Sequence, residues 1–429
     1  MTFVDRLRRP ATVRLILLTA GFFGWAAFAA LTSQMYRNTP PGAGFDLELL
    51  ISGGRHVAAG TSPYDPAMLA GRSVDIADLF YSYPPIVAQL FSMFAFLPSV
   101  AIFGVAVAIA SVAAVLVGRE VATVFGSEAI GRATVLPLAA FLPFWFPYAV
   151  GMLFGNVDIF FPALYGLVLL ALVKSPGAAR SERWVVAGGL ALGVASVIKL
   201  HPAVLGLWLL ARGLVERRRG DDLRRVGPLT LPRSWRIAAV SMVAVAIALG
   251  PSVAIGGVQP WLDYVSVLRA GASVDLLDAR NIGPAVQVVM LLGLGPSAVG
   301  PVQVATLAVA LIVTVVVAFR VDDPLESLAW AAAASFIVLP VTWFHHFAAL
   351  IPFGIAALAR GATLVARARQ RLWILLVATF GITMIGFAQP PTWLLVPVVI
   401  AAARISRLPA SDVPEPRPSP IAVERQPSA

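Results

Sequence analysis

The chain contains no cysteine, which excludes disulfides, thiolate metal ligands and cysteine nucleophiles and leaves the redox compartment unread. Charge is scarce as well: 13% of the 429 residues are Asp, Glu, Lys or Arg, against roughly 25% in an ordinary soluble domain. Lysine is nearly absent, with only Lys174 and Lys199, so the formal net charge of +10 is carried by arginine. No long polar block interrupts the chain. What stands in its place is apolar: 59% of residues are hydrophobic, in runs of about 20 residues, each long enough to cross a bilayer core as a helix. A soluble globule is thereby excluded and an all-α polytopic membrane protein expected. In such a chain the positive charge reads as topology and not as nucleic-acid binding.

The first run, 15–31, follows Arg6, Arg8, Arg9 and Arg14, and Ala27-Phe28-Ala29 could pass for a signal-peptide cleavage site. The equally apolar runs that follow argue for an uncleaved first span. Further spans are expected near 84–98, 100–118, 133–151, 155–173, 184–211, 237–257, 300–319, 327–342, 344–360, 371–388 and 391–404, about twelve transmembrane helices in all. Alternation then places the N-terminus, the loop from Arg212 to Arg236, the loop from Arg360 to Arg371 and the tail with Arg404 and Arg407 on one side, as short cytoplasmic loops require. Both termini are expected in the cytoplasm. The stretch 284–295, bounded by two Gly-Pro pairs, is too short to span and reads as a re-entrant or surface-lying helix. The domain plan is one transmembrane domain over 1–408, with outer loops at 32–83 and 258–299, and a disordered Pro- and Ser-rich tail at 409–429. No internal repeat argues for the inverted symmetry of a transporter.

Residues able to carry chemistry lie in several separate places. In the first outer loop the apolar positions 47, 50, 51, 57 and 58 follow a partly helical period, so a short amphipathic helix starting at Asp46 is expected. Asp46 reads either as its N-cap or as a catalytic carboxylate. Asp65, in Ser62-Pro63-Tyr64-Asp65-Pro66, reads as turn chemistry. The segment Phe80-Tyr81-Ser82-Tyr83-Pro84-Pro85 reads as an aromatic interface belt or as part of a site. His345 and His346 are costly to bury without partners. About 100° apart on a helix, they are not expected to face one point as metal ligands, so one histidine donating to an anion in a cavity fits better. Lys199, mid-way along an apolar run with His201, either snorkels to the cytoplasmic surface or pairs with an anion. Asn156 and Asp158 fall on the inner side by the span alternation, and Asp158 reads as a cap or packing residue. Arg280 and Asn281 precede a Gly-Pro turn and a short helix, a good place to hold phosphate. Equally, Arg280 reads as a partner of Asp275 or Asp278.

Taken in order, Asp46 with the Ser-Pro-Tyr-Asp turn, the Tyr-Pro-Pro motif at 83–85, Ile198-Lys199-Leu200-His201-Pro202 and Trp343-Phe344-His345-His346 resemble the GT87 family of GT-C glycosyltransferases over about 44–355. That family includes polyprenyl-phosphate-mannose-dependent mannosyltransferases of actinobacterial glycolipids. The chain departs from it at Asn156, where many members have glutamine, and at Arg280-Asn281-Ile282-Gly283, where an Asn-Gln-Ser-like stretch is usual. The resemblance implies a GT-C fold with a large first extracytoplasmic loop, an outward-facing site in a plasma membrane, a lipid-phosphate sugar donor and Asp46 as the catalytic residue. His345, His346, Arg280, Lys199 and Tyr83 would hold donor phosphate or sugar. Arg55, His56, Tyr64 and Asn281 would make acceptor or loop contacts. The implied reaction is inverting transfer of mannose from polyprenyl-phosphate-mannose to a glycolipid or lipoglycan, giving an α-mannoside.

The chemistry suits the residues: a carboxylate takes the proton of an attacking hydroxyl, and a phosphodiester donor with one charge, with no DxD pair in the outer loop, needs no metal or other cofactor. Three rivals remain: a polyprenyl-phosphate-arabinose transferase, a transporter of an anionic or sugar substrate, and a non-catalytic scaffold of the cell envelope. Arginine and alanine usage points to a high-GC bacterium.

Overall fold

A computed structural model describes residues 10–38, 42–70, 80–174, 179–226, 229–271, 277, 281–362, 364, 366–385 and 390–407. The proposed tail at 409–429 lies outside the described residues, as does Arg280.

The apolar runs become helices although many are rich in Val and Ile, because a segment in lipid must satisfy its backbone N–H and C=O groups within itself. The first is α1, Pro10–Tyr36. The outer loop forms α2, Phe45–Ala58, and the single turn α3, Pro66–Leu69, capped by Asp65 as its turn motif demands, with Ala67 N donating to Oδ1 at 2.6 Å. Next come α4, Pro85–Ser92, α5, Ser99–Phe125, α6, Glu128–Phe141, α7, Phe146–Phe154, α8, Phe161–Val173, α9, Ala179–Ile198, and α10, Ala203–Arg219. A hairpin of β1, Arg224–Val226, and β2, Leu229–Leu231, pairs antiparallel with Arg225 opposite Thr230. Then follow α11, Arg233–Gly256, α12, Gln259–Gly271, α13, Pro284–Leu291, α14, Val299–Arg320, α15, Pro324–Ile337, α16, Ile351–Gly361, α17, Ala366–Ile385, and α18, Leu395–Ile405.

Among the described residues five helices are long and apolar enough to cross a membrane, or six if Glu128–Phe144 and Phe146–Phe154, bent by 63°, form one span. The short α8 and α15 are buried along most of their length, α15 through a run of alanines and serines, and form the centre. The longer α1, α5, α11 and α14 surround them and leave large apolar side chains such as Phe22, Ile109, Ile247 and Ile312 exposed. That is the pattern of a protein whose outer solvent is lipid.

Two expected spans are corrected. The stretch 84–98 does not make one: α4 stops at Ser92 after 8 residues, about 12 Å of helix. The stretch 184–211 is not one span but two helices, α9 and α10, broken at 199–202, where Pro202 has no N–H to continue the first. The two corrections together invert the relative sidedness that alternation gave to everything between them. The expected surface or re-entrant piece at 284–295 is the short α13, packed through Val286 and Val289 onto Val299.

The folded chain has two polar ends. At one, charged side chains pair: Arg119 with Glu128, Lys174 with Glu120, Arg236 and Arg224 with Glu182, Arg212 with the carbonyls of Val321 and Asp322, and Arg404 and Arg407 with the buried Glu326. The other end carries α2, the turn at 155–158, the break at 199–202 and the segment 338–346. Asn156 therefore lies beside Asp46, not on the opposite side as alternation of the expected spans had it.

Candidate functional site

The site is assembled by α2 docking on the end of α7. Leu47, Leu50 and Ile51 turn one face of α2 inward and are buried. Gly44 N donates to Leu153 O at 2.8 Å, and the Phe45 and Phe154 rings lie 4.3 Å apart. Gly155 closes α7 with φ 67°, a conformation that costs glycine little, and a Cβ there would meet Leu47 Cβ at 2.7 Å. The close approach sets Asp46 against Asn156, whose Nδ2 donates to Asp46 Oδ2 at 2.7 Å. The N-cap of α2 is Gly44, one residue before the helix, so Asp46 does not cap it. Its carboxylate is directed across to α7.

Asn156 links two charges. Its Oδ1 accepts from Asp158 N at 3.0 Å and from Lys199 Nζ at 3.3 Å. Lys199 Nζ in turn lies 2.7 Å from Oδ1 of Asp158, whose side chain is fully buried. Lys199 thus pairs with an anion and does not snorkel, and Asp158 is the centre of the cluster and no mere cap. His346 Nδ1 lies 2.8 Å from both N and O of Trp343, which turns Nε2 toward Asp158 Oδ2 at 3.5 Å and Lys199 Nζ at 3.4 Å. His345 Nε2 reaches the same Asp158 oxygen at 3.5 Å. The expectation that neighbouring histidines cannot face one point is corrected. Neighbours on the 3₁₀ helix at 344–350 stand about 120° apart, yet the two rings lie 4.8 Å between centroids and both Nε2 atoms reach an acceptor lying between the side chains' directions.

A cavity of about 420 Å³ opens here, lined among others by Asp46, Tyr83, Asn156, Lys199, His201 and His346. His346 lines it and His345 does not; His345 sits behind, its ring edge-on to Phe154 and Phe344. Burial pushes the Asp46 carboxyl up to about 6; the Asn156 hydrogen bond and Lys199 restrain the rise, and Asp158 adds to it. The carboxylate is therefore ionised at neutral pH yet basic enough to accept a proton.

The remaining sequence candidates separate. Tyr83 lines the cavity, with Lys199 Nζ 6.0 Å from its ring centroid. Tyr64 lies one layer back, buried, its hydroxyl donating to Tyr83 O at 3.0 Å, while Tyr81 donates to Pro84 O at 3.0 Å. These tyrosines brace the turn into α4, and the interface-belt reading is corrected for them. Asn281 is fully buried and is a clamp, not an acceptor contact: Nδ2 donates to Pro340 O at 3.2 Å and Oδ1 accepts from Thr342 N at 3.0 Å, which holds the 338–343 wall. Arg55 and His56 do not line the cavity; Arg55 pairs with Glu48 at 2.8 Å and His56 Nδ1 lies 3.2 Å from Thr61 Oγ1, both exposed.

Sequence reasoning missed Asn156, Asp158 and His201 as site residues. Asp158 and Lys199 each stand alone in apolar segments, and two lone opposite charges of that kind imply each other as partners; the expected span alternation put Asn156 and Asp158 on the side away from Asp46, which concealed them as site residues. Asp158, His345 and His346 also offer ligand atoms within 4.8 Å of one another, the one such group among the described residues. The Lys199 ammonium already lies against its carboxylate.

Comparison with known proteins places the chain among glycosyltransferases. The model of glycosyltransferase family 87 matches residues 81–342. The chain is 25% identical over 394 residues, 86% of itself and 79% of the relative, to the polyprenol-phosphate-mannose-dependent alpha-(1-2)-phosphatidylinositol mannoside mannosyltransferase of Mycolicibacterium smegmatis. The protein of the same name from Mycobacterium tuberculosis is 25% identical, covering 81% of the chain and 76% of that protein. A polyprenol-phosphate-mannose-dependent alpha-(1-2)-phosphatidylinositol pentamannoside mannosyltransferase of Mycolicibacterium smegmatis is 26% identical, covering 90% of the chain and 85% of that protein.

Proposed function

The chain belongs to glycosyltransferase family 87, and from that premise we propose that it moves mannose from polyprenyl-phosphate-mannose to a hydroxyl of a glycolipid or lipoglycan, by inversion and with Asp46 as general base. The observation that carries this reading is a carboxylate and an ammonium held on the two ends of one amide, Asp46 on Asn156 Nδ2 and Lys199 on Asn156 Oδ1, at one cavity wall.

In this mechanism the acceptor hydroxyl gives its proton to Asp46 as its oxygen bonds to C1. The C1–O bond to phosphate breaks, and its electron pair leaves with the polyprenyl phosphate, whose negative charge grows by one. Lys199 and His346, which line the cavity, are proposed to meet that charge. A single displacement inverts C1, so a β-linked donor yields an α-mannoside; an α-1,2 linkage is the form the relatives' names suggest. Arg280 is proposed as a further phosphate contact.

The reaction is proposed to need no metal. An ion held by Asp158 and His346 would lie a few ångströms from the Lys199 ammonium, and charges of +2 and +1 at that range repel by on the order of 10 kcal/mol at an effective dielectric near 20. The enzyme is further proposed to sit in a bacterial plasma membrane with about twelve crossings, both termini cytoplasmic and the cavity outward.

The test is transfer of labelled mannose from polyprenyl-phosphate-mannose into glycolipid by membranes carrying wild type or Asp46→Asn at matched abundance, with and without EDTA. Transfer by the wild type in both conditions, reduced about 10²- to 10⁴-fold in the variant, is expected. Equal transfer by the variant would remove Asp46 from the mechanism, and loss with EDTA restored by Mg²⁺ or Mn²⁺ would end the metal-free reading. Transfer of arabinose alone would replace the donor.

A further inference from the structure

The Asp158, His345 and His346 cluster has the composition of a divalent-cation site and the contents of an ion pair. Two imidazole nitrogens approach one carboxylate oxygen at 3.5 Å each, and the ligand atoms lie within 4.8 Å of one another. All three side chains are buried, at 0 to 4% exposure. Neither nitrogen of His345 makes a hydrogen bond among the described residues, although a buried imidazole ordinarily has a partner. Asp158 has one strong partner, the ammonium of Lys199 at 2.7 Å from Oδ1, and that ammonium also lies 3.4 Å from His346 Nε2 and 3.3 Å from Asn156 Oδ1.

We propose that this is a latent divalent-metal site whose place is taken by the tethered cation of Lys199, so that removing that one side chain turns a metal-free centre into a metal-binding one. The donor set is right for it: one carboxylate with two neutral imidazoles matches the three-ligand sites that zinc adopts with an open fourth position, and cobalt(II) accepts the same nitrogen and oxygen donors. The 3.5 Å between each imidazole nitrogen and the carboxylate oxygen is about the ligand-to-ligand spacing that bonds of about 2.0–2.2 Å at tetrahedral angles give. The lysine supplies one positive charge without a loading step and without competition from the ions of the medium. The site would then stabilise the charge of a departing phosphate by a covalently held cation where a related chemistry uses a bound one.

The inference rests on the metal-free reading above but is tested by binding, not by transfer, so the two stand or fall separately. Full-length wild type, Lys199→Ala, Lys199→Gln and the double variant Lys199→Ala/Asp158→Asn are purified in detergent. Each is titrated with cobalt(II), read as visible-region absorption of the ion and as the thermal unfolding midpoint, with zinc(II) as competitor. Expected is one cobalt(II) per chain in Lys199→Ala or Lys199→Gln, displaced by zinc(II), a raised midpoint on binding, and no binding by the wild type or the double variant. Stoichiometric binding by the wild type would overturn the proposal, because the ammonium would not then exclude the ion. Absence of binding in both single variants, or binding retained in the double variant, would overturn it as well. If both single variants unfold and cobalt(II) does not restore them, it also fails, since an ion able to take the ammonium's place returns the charge they lost.

Discussion

Asp46 shows how one residue type acquires its role from its neighbours. A carboxylate at the start of a surface helix usually caps backbone N–H groups and stays far from proton transfer at neutral pH. Here Gly44 takes the cap position and Asp46 is directed at Asn156, where burial lifts its carboxyl to about 6. Only the ionised form can accept the hydroxyl proton. The rate of transfer is therefore expected to be flat above about 6, the value at which the carboxyl titrates, and to fall about tenfold per pH unit below it. The Asn156 hydrogen bond and the Lys199 charge both lower this value. Asn156→Ala removes the first and loosens the second, so the acid limb of its pH–rate profile is expected at higher pH than in the wild type. A limb that stays in place, or moves to lower pH, in kcat/KM measured from pH 5 to 8 would show that Asn156 does not set the proton affinity of the base.

At the scale of elements, the site depends on how α2 is seated. Besides its contact with α7, α2 packs on α4 through Gly54, where a Cβ would lie 2.6 Å from Phe91 C and 2.8 Å from Ser92 N. The obstruction is backbone, which cannot rotate away. Gly54→Val is therefore expected to lower stability by about 1–3 kcal/mol and, by tilting α2, to lower transfer more than fold stability accounts for, because a displacement of about 1 Å at a catalytic group costs up to 10²-fold in rate. Thermal unfolding and transfer rate measured together check this, and an unchanged pair would show that α2 does not bear on α4. The break at 199–202 does comparable work. By ending α9 it leaves Lys199 at a helix end, free to turn into the cavity, and Pro202 ensures that the stop is kept.

For the whole molecule, the short α4 and the split of 184–211 decide which loops share a side. If α4 does not cross, Glu128 lies at the arginine-rich end with Arg119 and Lys174, as the excess of positive charge on cytoplasmic loops requires. If 84–98 did cross, Glu128 would lie with Asp46. The absence of cysteine makes the natural chain a ready background for labelling. A cysteine at Glu128, an exposed position, is expected to react with an impermeant maleimide only after the membrane is opened, and one at Thr61, exposed near α2, in intact cells; labelling of both from outside would restore the crossing at 84–98.

Composition and hydrophobic runs were enough to establish a helical membrane protein, its arginine-rich end, the turn at Asp65 and the candidacy of Asp46, Lys199, Tyr83 and the histidine pair, because each of these is a local cost that a single side chain or a single run of them reveals. Asn156 and Asp158 as site residues, His346 and not His345 at the cavity, and Asn281 as a clamp were decided only by tertiary structure. A span of 28 apolar residues and two shorter helices with a proline break have nearly the same hydropathy, and which buried charge answers which depends on distances between segments that lie far apart in the chain.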